Sequence, residues 1–402
     1  MQLFKKAIFF ACFTISLIAS AQETPSPSFG DGLFNLIGKD STWTMKIGAR
    51  MQFLAIANWK ENAAGDYKTQ ESNMLVRRAR LKFDGFAHSP KLKYKLELGL
   101  SNIDISGSSV FTGNAPRYIL DAVVMWNFHK NFELWVGQTK LPGNIERVIS
   151  SGNMQQVDRS LLNSLFNIDR DMGVQLRNHT RIGKTFLMRE KFAISQGEGR
   201  NITTGNIGGH QFTSRLELLP FGAFKSAGEY SGADLKREAQ PKLMMAATYD
   251  SNQNAVKNRS NQGSYMKNDE GFFQTDINTW FIDTMFKYQG FSFMGEYSKR
   301  SASDALGKNL DGSLTGTVVQ VGKGLNLQTG YLLKNNVEVS GRYTKINLDQ
   351  AVTGKAPETQ YTFGLSKYIA GHKLKVQSDF SYLDSSGASN KLMYRLQLDL
   401  HF

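Results

Sequence analysis

Cysteine is almost missing from this chain of 402 residues, and the one present, Cys12, sits inside an apolar run at the start. The opening "MQLFKK" places Lys5 and Lys6 before "AIFFACFTISLIA", which closes on the small residues Ala19, Ser20 and Ala21. That order of charge, apolar stretch and A-x-A site reads as a secretory leader over residues 1–21, with the mature chain beginning near Gln22. A lipid anchor wants its cysteine at the end of the run, so the mid-run position of Cys12 argues against lipidation. With the leader gone no thiol is left. Disulfides, thiolate nucleophiles and Cys-bound zinc are then excluded.

Long apolar runs are equally scarce. Beyond the leader no segment reaches about 18 consecutive apolar residues, the length a spanning helix needs, and the mean hydropathy is −0.35. A helical membrane protein is excluded. A transmembrane β-barrel is not, because only alternate residues of its strands need be apolar. Histidine is thin as well: His88, His129, His179, His210, His372 and His401 never fall at H-x-x-x-H spacing. No metal or other cofactor is expected, and each histidine reads as a solvated turn or terminal residue. "GKT" at Gly183–Thr185 resembles the tail of a phosphate-binding loop, but Asn178 stands where that loop needs its first glycine.

What the chain has in excess is positive charge. Its 48 Lys and Arg against 35 Asp and Glu give +13, and removing Lys5 and Lys6 leaves +11. An anionic partner or solute follows. The basic residues are spread over many segments at period two, without a nucleic-acid-binding motif, so no nucleic acid partner is expected.

Successive side chains of a strand point to opposite faces, so parity separates the two surfaces. In "LVRRARLKFD" the odd positions are Leu75, Arg77, Ala79, Leu81 and Phe83; the even ones are Val76, Arg78, Arg80, Lys82 and Asp84. One face is mostly apolar and the other charged. "TWTMKIGARMQFLAIANW" sets Met45, Ile47, Met51 and Phe53 against Lys46, Arg50 and Gln52. "KLKYKLELGL" sets Leu92, Tyr94 and Leu96 against Lys93, Lys95 and Glu97, and the last strand sets Leu392 to Phe402 against Arg395, Gln397 and Asp399. These runs are long, and Trp43, Trp59, Tyr118, Trp126, Phe128, Trp280 and Tyr288 mark their ends as interfacial girdles would.

About sixteen strands are expected, near 43–59, 72–87, 92–104, 118–128, 132–139, 171–179, 187–196, 211–219, 242–250, 278–288, 291–299, 315–332, 337–347, 358–368, 374–384 and 391–402. Their connections alternate between tight turns such as "HSPK", "YQGF" and "KNN" and long polar loops such as "ISGSSVFTGNAP" and "QGEGRNITTGNIGG". Short turns on one side, long loops on the other and an even strand number describe an outer-membrane barrel. "FGAFKSAGEYSGADLKREAQP" falls on the short side and breaks this rule. The division expected is a leader at 1–21, a periplasmic segment at 22–42 and an all-β, antiparallel transmembrane barrel at 43–402.

The segments "KIGARMQF", "VRRARLKFDGFAHSPKLKYKLELGLSNID", "LDAVVMWNFHKNFELWVGQTKLP" and "IERVISSGNMQQVDRSLLNSLFNIDRDMGVQL", with the terminal Phe402, together resemble the phosphate-selective porin O and P family. The resemblance is most specific over residues 43–180. It implies a 16-stranded barrel in the bacterial outer membrane, usually trimeric, with basic residues along the pore and a long loop folded inward to constrict it. It also implies phosphate or a similar small anion as solute, and assembly machinery that reads Phe402. The family more often reads "GQFKxPFS" where this chain has "GQTKLPGN", so Thr139 and Gly143 alter the start of that loop.

Inside a closed barrel the charged face meets water, so the cations can stay hydrated while Leu81 and Phe83 meet lipid; Arg77 falls to the lipid side, near the interface. Lys46, Arg50, Arg78, Arg80, Lys82, Lys93 and Lys95 would then form one positive wall, joined across the barrel seam by Lys373, Lys375 and Arg395. Residues 140–170 are the candidate constriction loop, with Lys140, Arg147 and Arg159 as its cations. The bland alternative packs this loop on the wall and pairs its charges with Glu146, Asp158 and Asp169. Outer-loop cations suit lipopolysaccharide or solvent. The function read from the sequence is passive, anion-favouring diffusion. A general or organic-anion porin of the same fold stands as alternative, with a structural barrel or a barrel enzyme behind it.

Overall fold

The computed structural model describes residues 22–23 and 28–402; the leader at 1–21 lies outside the described residues. Sixteen long strands follow: β1 Thr44–Glu61, β2 Tyr67–Ala87, β3 Ser89–Gly99, β4 Ile119–His129, β5 Phe132–Lys140, β6 Arg170–Ile182, β7 Phe186–Ser195 and β8 Gln211–Leu219. The second half is β9 Lys242–Ala255, β10 Thr275–Tyr288, β11 Phe291–Ala302, β12 Gly322–Leu332, β13 Val337–Leu348, β14 Glu358–Tyr368, β15 Leu374–Ser385 and β16 Lys391–His401. Each pairs antiparallel with its sequence neighbour, and β16 returns to β1 with Leu396 opposite Ala55 and Leu400 opposite Met51. The sheet is therefore a closed barrel. A short strand, Phe34–Ile37, continues the line of β16 by pairing with residues 44–47 of β1.

The sequence alternation becomes an inverted surface. Outward positions such as Trp126, Trp280 and Phe363 are 48 %, 49 % and 59 % exposed, while inward Asp283 and Glu296 are 3 % and 1 % exposed. Apolar outside and polar inside is what lipid demands of a barrel, since every strand edge is paired and the apolar belt meets acyl chains. Parity holds in β16, where Tyr394, Leu396 and Leu398 point out and Arg395, Gln397 and Asp399 are buried.

Parity fails twice in β2, at Gln70 near the long-loop end and at Arg77, the second with consequences for the site. Gln52 pairs with Arg78 but Phe53 pairs with Val76, so Arg77 is the extra residue of a bulge. The bulge turns Val76 and Met74 outward and Arg77 inward, correcting the expected lipid-side placement of Arg77. A guanidinium is thus kept out of lipid.

Two connections fold into the barrel. Residues 141–169 enter with the short helices Ile145–Val148 and Leu161–Phe166, whose Ile145, Leu162 and Phe166 are fully buried. Ile145, Ile149 and Met154 pack on inward Met244, Met285 and Met294, and Leu162, Phe166 and Ile168 pack on Phe281 and Ile346. The other is 220–241, which breaks the short-turn rule because it is a second inward loop: Phe224 joins the same apolar cluster. Gly232 donates its N–H to the carbonyl oxygen of Asn153 at 2.7 Å. The half of the lumen facing β8–β16 is filled by these loops.

Candidate functional site

The space left open is a cavity of ≈ 730 Å³ pressed against β2–β7. Its lining runs from Ile103, Asp104 and Arg200 in the long-loop region to Asn131 in a short turn, so it follows the barrel axis. Twelve Lys or Arg residues border it against five Asp or Glu. The excess is cationic, although most of these charges are paired.

Among the expected cations, Arg78, Arg80, Lys95, Lys140, Arg147 and Arg159 border the cavity. Arg80 donates to Asp104 at 2.8 and 3.0 Å and to Glu97 at 3.1 Å. Lys95 bridges Glu97 at 2.7 Å and Asp121 at 2.6 Å. Arg78 donates to Gln52 and lies 3.6 Å from the Asp158 carboxylate, which also accepts from Arg77 at 2.8 Å. Arg147 pairs with Asp169 through Nε at 2.6 Å and through Nη2. This part of the bland alternative describes the loop: it packs on the wall, and Asp158 and Asp169 hold arginines.

The single positive wall across the seam needs correction. Arg50 and Arg395 face inward but are sealed beneath the constriction loop, Arg50 on Asp399 at 2.9 and 2.8 Å and Arg395 on Asp379 at 2.7 and 2.8 Å. Lys375 is fully buried and donates to the Met154 carbonyl at 3.0 Å. Lys46, Lys82, Lys93 and Lys373 lie toward the short-turn end, outside the cavity lining; Lys82 pairs with Asp84 at 2.8 Å. For Arg50, Lys375 and Arg395 the physical reason is that the loops fill one side of the lumen, so inward parity there means contact with protein rather than with water, whereas Lys82, Lys93 and Lys373 stay exposed at the short-turn mouth.

Four lining cations have no carboxylate at ion-pair distance among the described residues: Lys140, Arg159, Arg177 and Arg200. Lys140 donates to the carbonyls of Arg147, Val148 and Ile149 at 2.8–3.2 Å. Arg159 donates to the carbonyls of Glu146 and Ile149 at 2.9 and 2.8 Å. Arg177 and Arg200 had not been singled out from the sequence. Arg177 falls on the charged face of β6, which parity could have found; Arg200 sits in an irregular loop, with no periodic signal, and donates to Asp104 and Arg117 carbonyls at 2.6 and 2.9 Å. Burial pushes Arg159 down to about 10 and Arg200 down to about 9, both still cationic at neutral pH. For Asp158, burial opposes ionisation but Arg78 and Arg77 outweigh it, holding the carboxyl far below its usual range.

The departures at the loop start have local reasons. Thr139 donates to Asp121 at 3.0 Å. Gly143 leaves no room for a side chain, since a Cβ would come within 2.5 Å of Ile168, and its carbonyl accepts from Arg215 at 3.0 Å. His372 departs from the solvated-turn reading: it is half-buried, 2.8 Å from the Ser231 hydroxyl. Among the described residues no cluster of His, Cys, Asp or Glu could hold a metal ion.

A closed 16-stranded barrel, apolar outside and polar within, narrowed by a loop across a cationic lumen, is a porin. The chain belongs to the phosphate-selective porin O and P family, whose model matches residues 56–398. It is thus a bacterial outer-membrane channel of an anion-favouring kind. The fold is similar to an anion-selective porin from Comamonas acidovorans, at 12 % identity over 90 % of this chain and 100 % of that one, TM-score 0.55. It is also similar to the outer membrane channel DcaP of Acinetobacter baumannii, at 13 % identity over 91 % and 99 %, TM-score 0.53. A third similar fold is OprB of Pseudomonas putida, at 9 % identity over 94 % and 100 %, TM-score 0.53. No curated protein sequence matches.

Proposed function

We propose that small anions cross the outer membrane through the eccentric cavity beside β2–β7, drawn by the cations that line it, with phosphate and polyphosphate as first candidate solutes. The observation that carries this reading is the lining of twelve cations against five acids. Lys140, Arg159, Arg177 and Arg200 carry the net field, because the other cations spend theirs on neighbouring carboxylates. In a narrow, water-filled path such a field concentrates anions and repels cations. Salt limits its reach to a Debye length of about 8 Å at physiological ionic strength, so the narrowing by the 141–169 loop is what makes the charge felt. Selectivity and narrowing are one device here.

Three associations belong to the same proposal. The chain assembles as a trimer, for which one supporting observation is the barrel's likeness to a Vibrio cholerae OmpT solved in a trimer form, TM-score 0.51. Its outer-loop cations meet lipopolysaccharide. Phe402, whose N–H donates to the Ala49 carbonyl at 2.9 Å, is the signal for barrel assembly.

The test is conductance in planar bilayers under a KCl gradient, repeated with added phosphate. A reversal potential of anion sign is expected, with phosphate reducing the chloride current. Cation preference would overturn the reading, and chloride current indifferent to phosphate would leave a porin for other anions, the alternative being organic acids.

A further inference from the structure

The wall below the constriction is not uniformly polar. Val123 and Met125 of β4 and Trp135 of β5 point into the lumen, as their neighbours Val124, Trp126 and Val136 are outward and exposed. Met125 and Trp135 are direct cross-strand partners, and all three border the cavity. Inward positions of a water-filled barrel are ordinarily polar, so three apolar ones together need a reason. Contact with a folded-in loop, which explains inward Met244 and Phe281, does not apply: none of the three belongs to the apolar clusters that the loops build. Val123 is buried at 5 % exposed, and it is the half-buried Met125 and Trp135 that present apolar surface to the open path.

A cation edges this shelf. The Arg177 guanidinium carbon lies 3.5 Å from the centre of the Trp135 ring, held by two hydrogen bonds to the Gln175 side-chain oxygen at 3.1 and 2.6 Å. Trp135 is fixed by its own indole N–H, which donates to Glu133 at 2.9 Å. The Lys191 ammonium and the Tyr230 hydroxyl, 2.8 Å apart, add a second polar edge to the same cavity.

We infer that this shelf is a subsite for organic anions with a flat apolar body, aromatic carboxylates in chemical class, with the carboxylate at Arg177 and the ring against Trp135 and Met125. This rests on the anion reading above and names a substrate class within it. A phosphate ion has no apolar surface to bury and gains nothing from the shelf. An aromatic carboxylate buries its ring there while its charge meets a guanidinium whose only side-chain hydrogen-bond acceptor among the described residues is neutral Gln175.

The experiment compares benzoate with acetate as blockers of chloride current through the native protein in planar bilayers; the two share a charge and differ in the ring. Half-block by benzoate is expected at roughly three- to tenfold lower concentration than by acetate, the size of one aromatic contact. Trp135→Leu should bring that ratio toward one, and if this variant fails to insert, Met125→Thr reads the same shelf. Equal block of the native pore by both anions would overturn the subsite while leaving anion preference standing. Cation preference in the KCl gradient would overturn the underlying reading instead, so the two failures are told apart.

Discussion

Gly232 donates its backbone N–H to the carbonyl oxygen of Asn153 at 2.7 Å, joining in mid-barrel two loops that enter from opposite ends. Lys287 clamps the same region by donating to the carbonyls of Ser231 and Ala233 at 3.0 and 2.7 Å. Replacing residues 222–238 with a short turn should therefore raise single-channel conductance. Anion preference should fall with it, since a wider path takes ions beyond the roughly 8 Å reach of the wall charge. Unaltered conductance would show that the loop does not occlude the path.

The division between paired and unpaired cations predicts an order of effects on selectivity. Changing Lys140, Arg159, Arg177 and Arg200 together to Gln should lower the reversal potential in a KCl gradient strongly. Changing Arg78, Arg80 and Lys82 to Gln should lower it less, because each of these already faces a carboxylate. The reverse order would mean that pairing does not quench their field.

Asp158 ties the constriction loop to β2 through Arg77 and Arg78, and its carbonyl accepts from Arg342 at 2.8 Å. Its carboxyl is held far below the ordinary value despite burial, by those arginines. An unfolded aspartate titrates near about 3.9, so this tie contributes fully above that pH and is lost only as pH falls through the folded value. Conductance should be steady from neutral pH down through about 4 and become noisy or larger only well below it, where the folded carboxyl is protonated. Asp158→Asn should show the acid behaviour already at neutral pH. Single-channel records across that range are the check.

Arg50 beneath the loop has a structural role. It is bidentate on Asp399 and also donates to the Ser151 hydroxyl at 2.6 Å. Arg50→Gln removes the guanidinium from a buried carboxylate that keeps His401 at 3.1 Å and Gln52 at 3.5 Å, a loss on the order of 3–5 kcal/mol. Heat-modifiable gel mobility should shift at a lower temperature, while the sign of the reversal potential in inserted channels stays that of the native protein.

Period two made the barrel legible: in β1, β3 and β16 one face is apolar and the other charged, and strand count and seam follow from that. It was least legible between residues 242 and 332. There Met244, Phe281, Met285 and Met294 point inward beside outward Met245 and Ile282, one face meeting loop and the other lipid. Both faces are apolar, so alternation disappears although the strands remain. The site was less legible than the fold. Parity gives the direction of a side chain but not what lies opposite it, and Arg50, Lys375 and Arg395 point inward onto a loop. The bulge at Arg77 carries no composition signal, since any residue can be the extra one.

Gly143 tests whether the loop's departure from its family's usual pattern is a fitted feature. Its Cβ would press within 2.5 Å of Ile168 Cγ1, so Gly143→Phe, the residue the family more often shows, has no room in this packing. Ile168 is itself fully buried in the cluster with Leu162 and Phe166, and cannot move without opening that cluster. Overpacking of this kind costs about 1–3 kcal/mol, felt here at the loop's first turn, where the Gly143 carbonyl also accepts from Arg215. Gly143→Phe should lower the temperature of the gel-mobility shift and disturb conductance. Adding Ile168→Ala should restore much of both, because it vacates the volume the ring needs. A single variant as stable as the native protein would mean that the loop start tolerates another path, and the glycine would then be incidental.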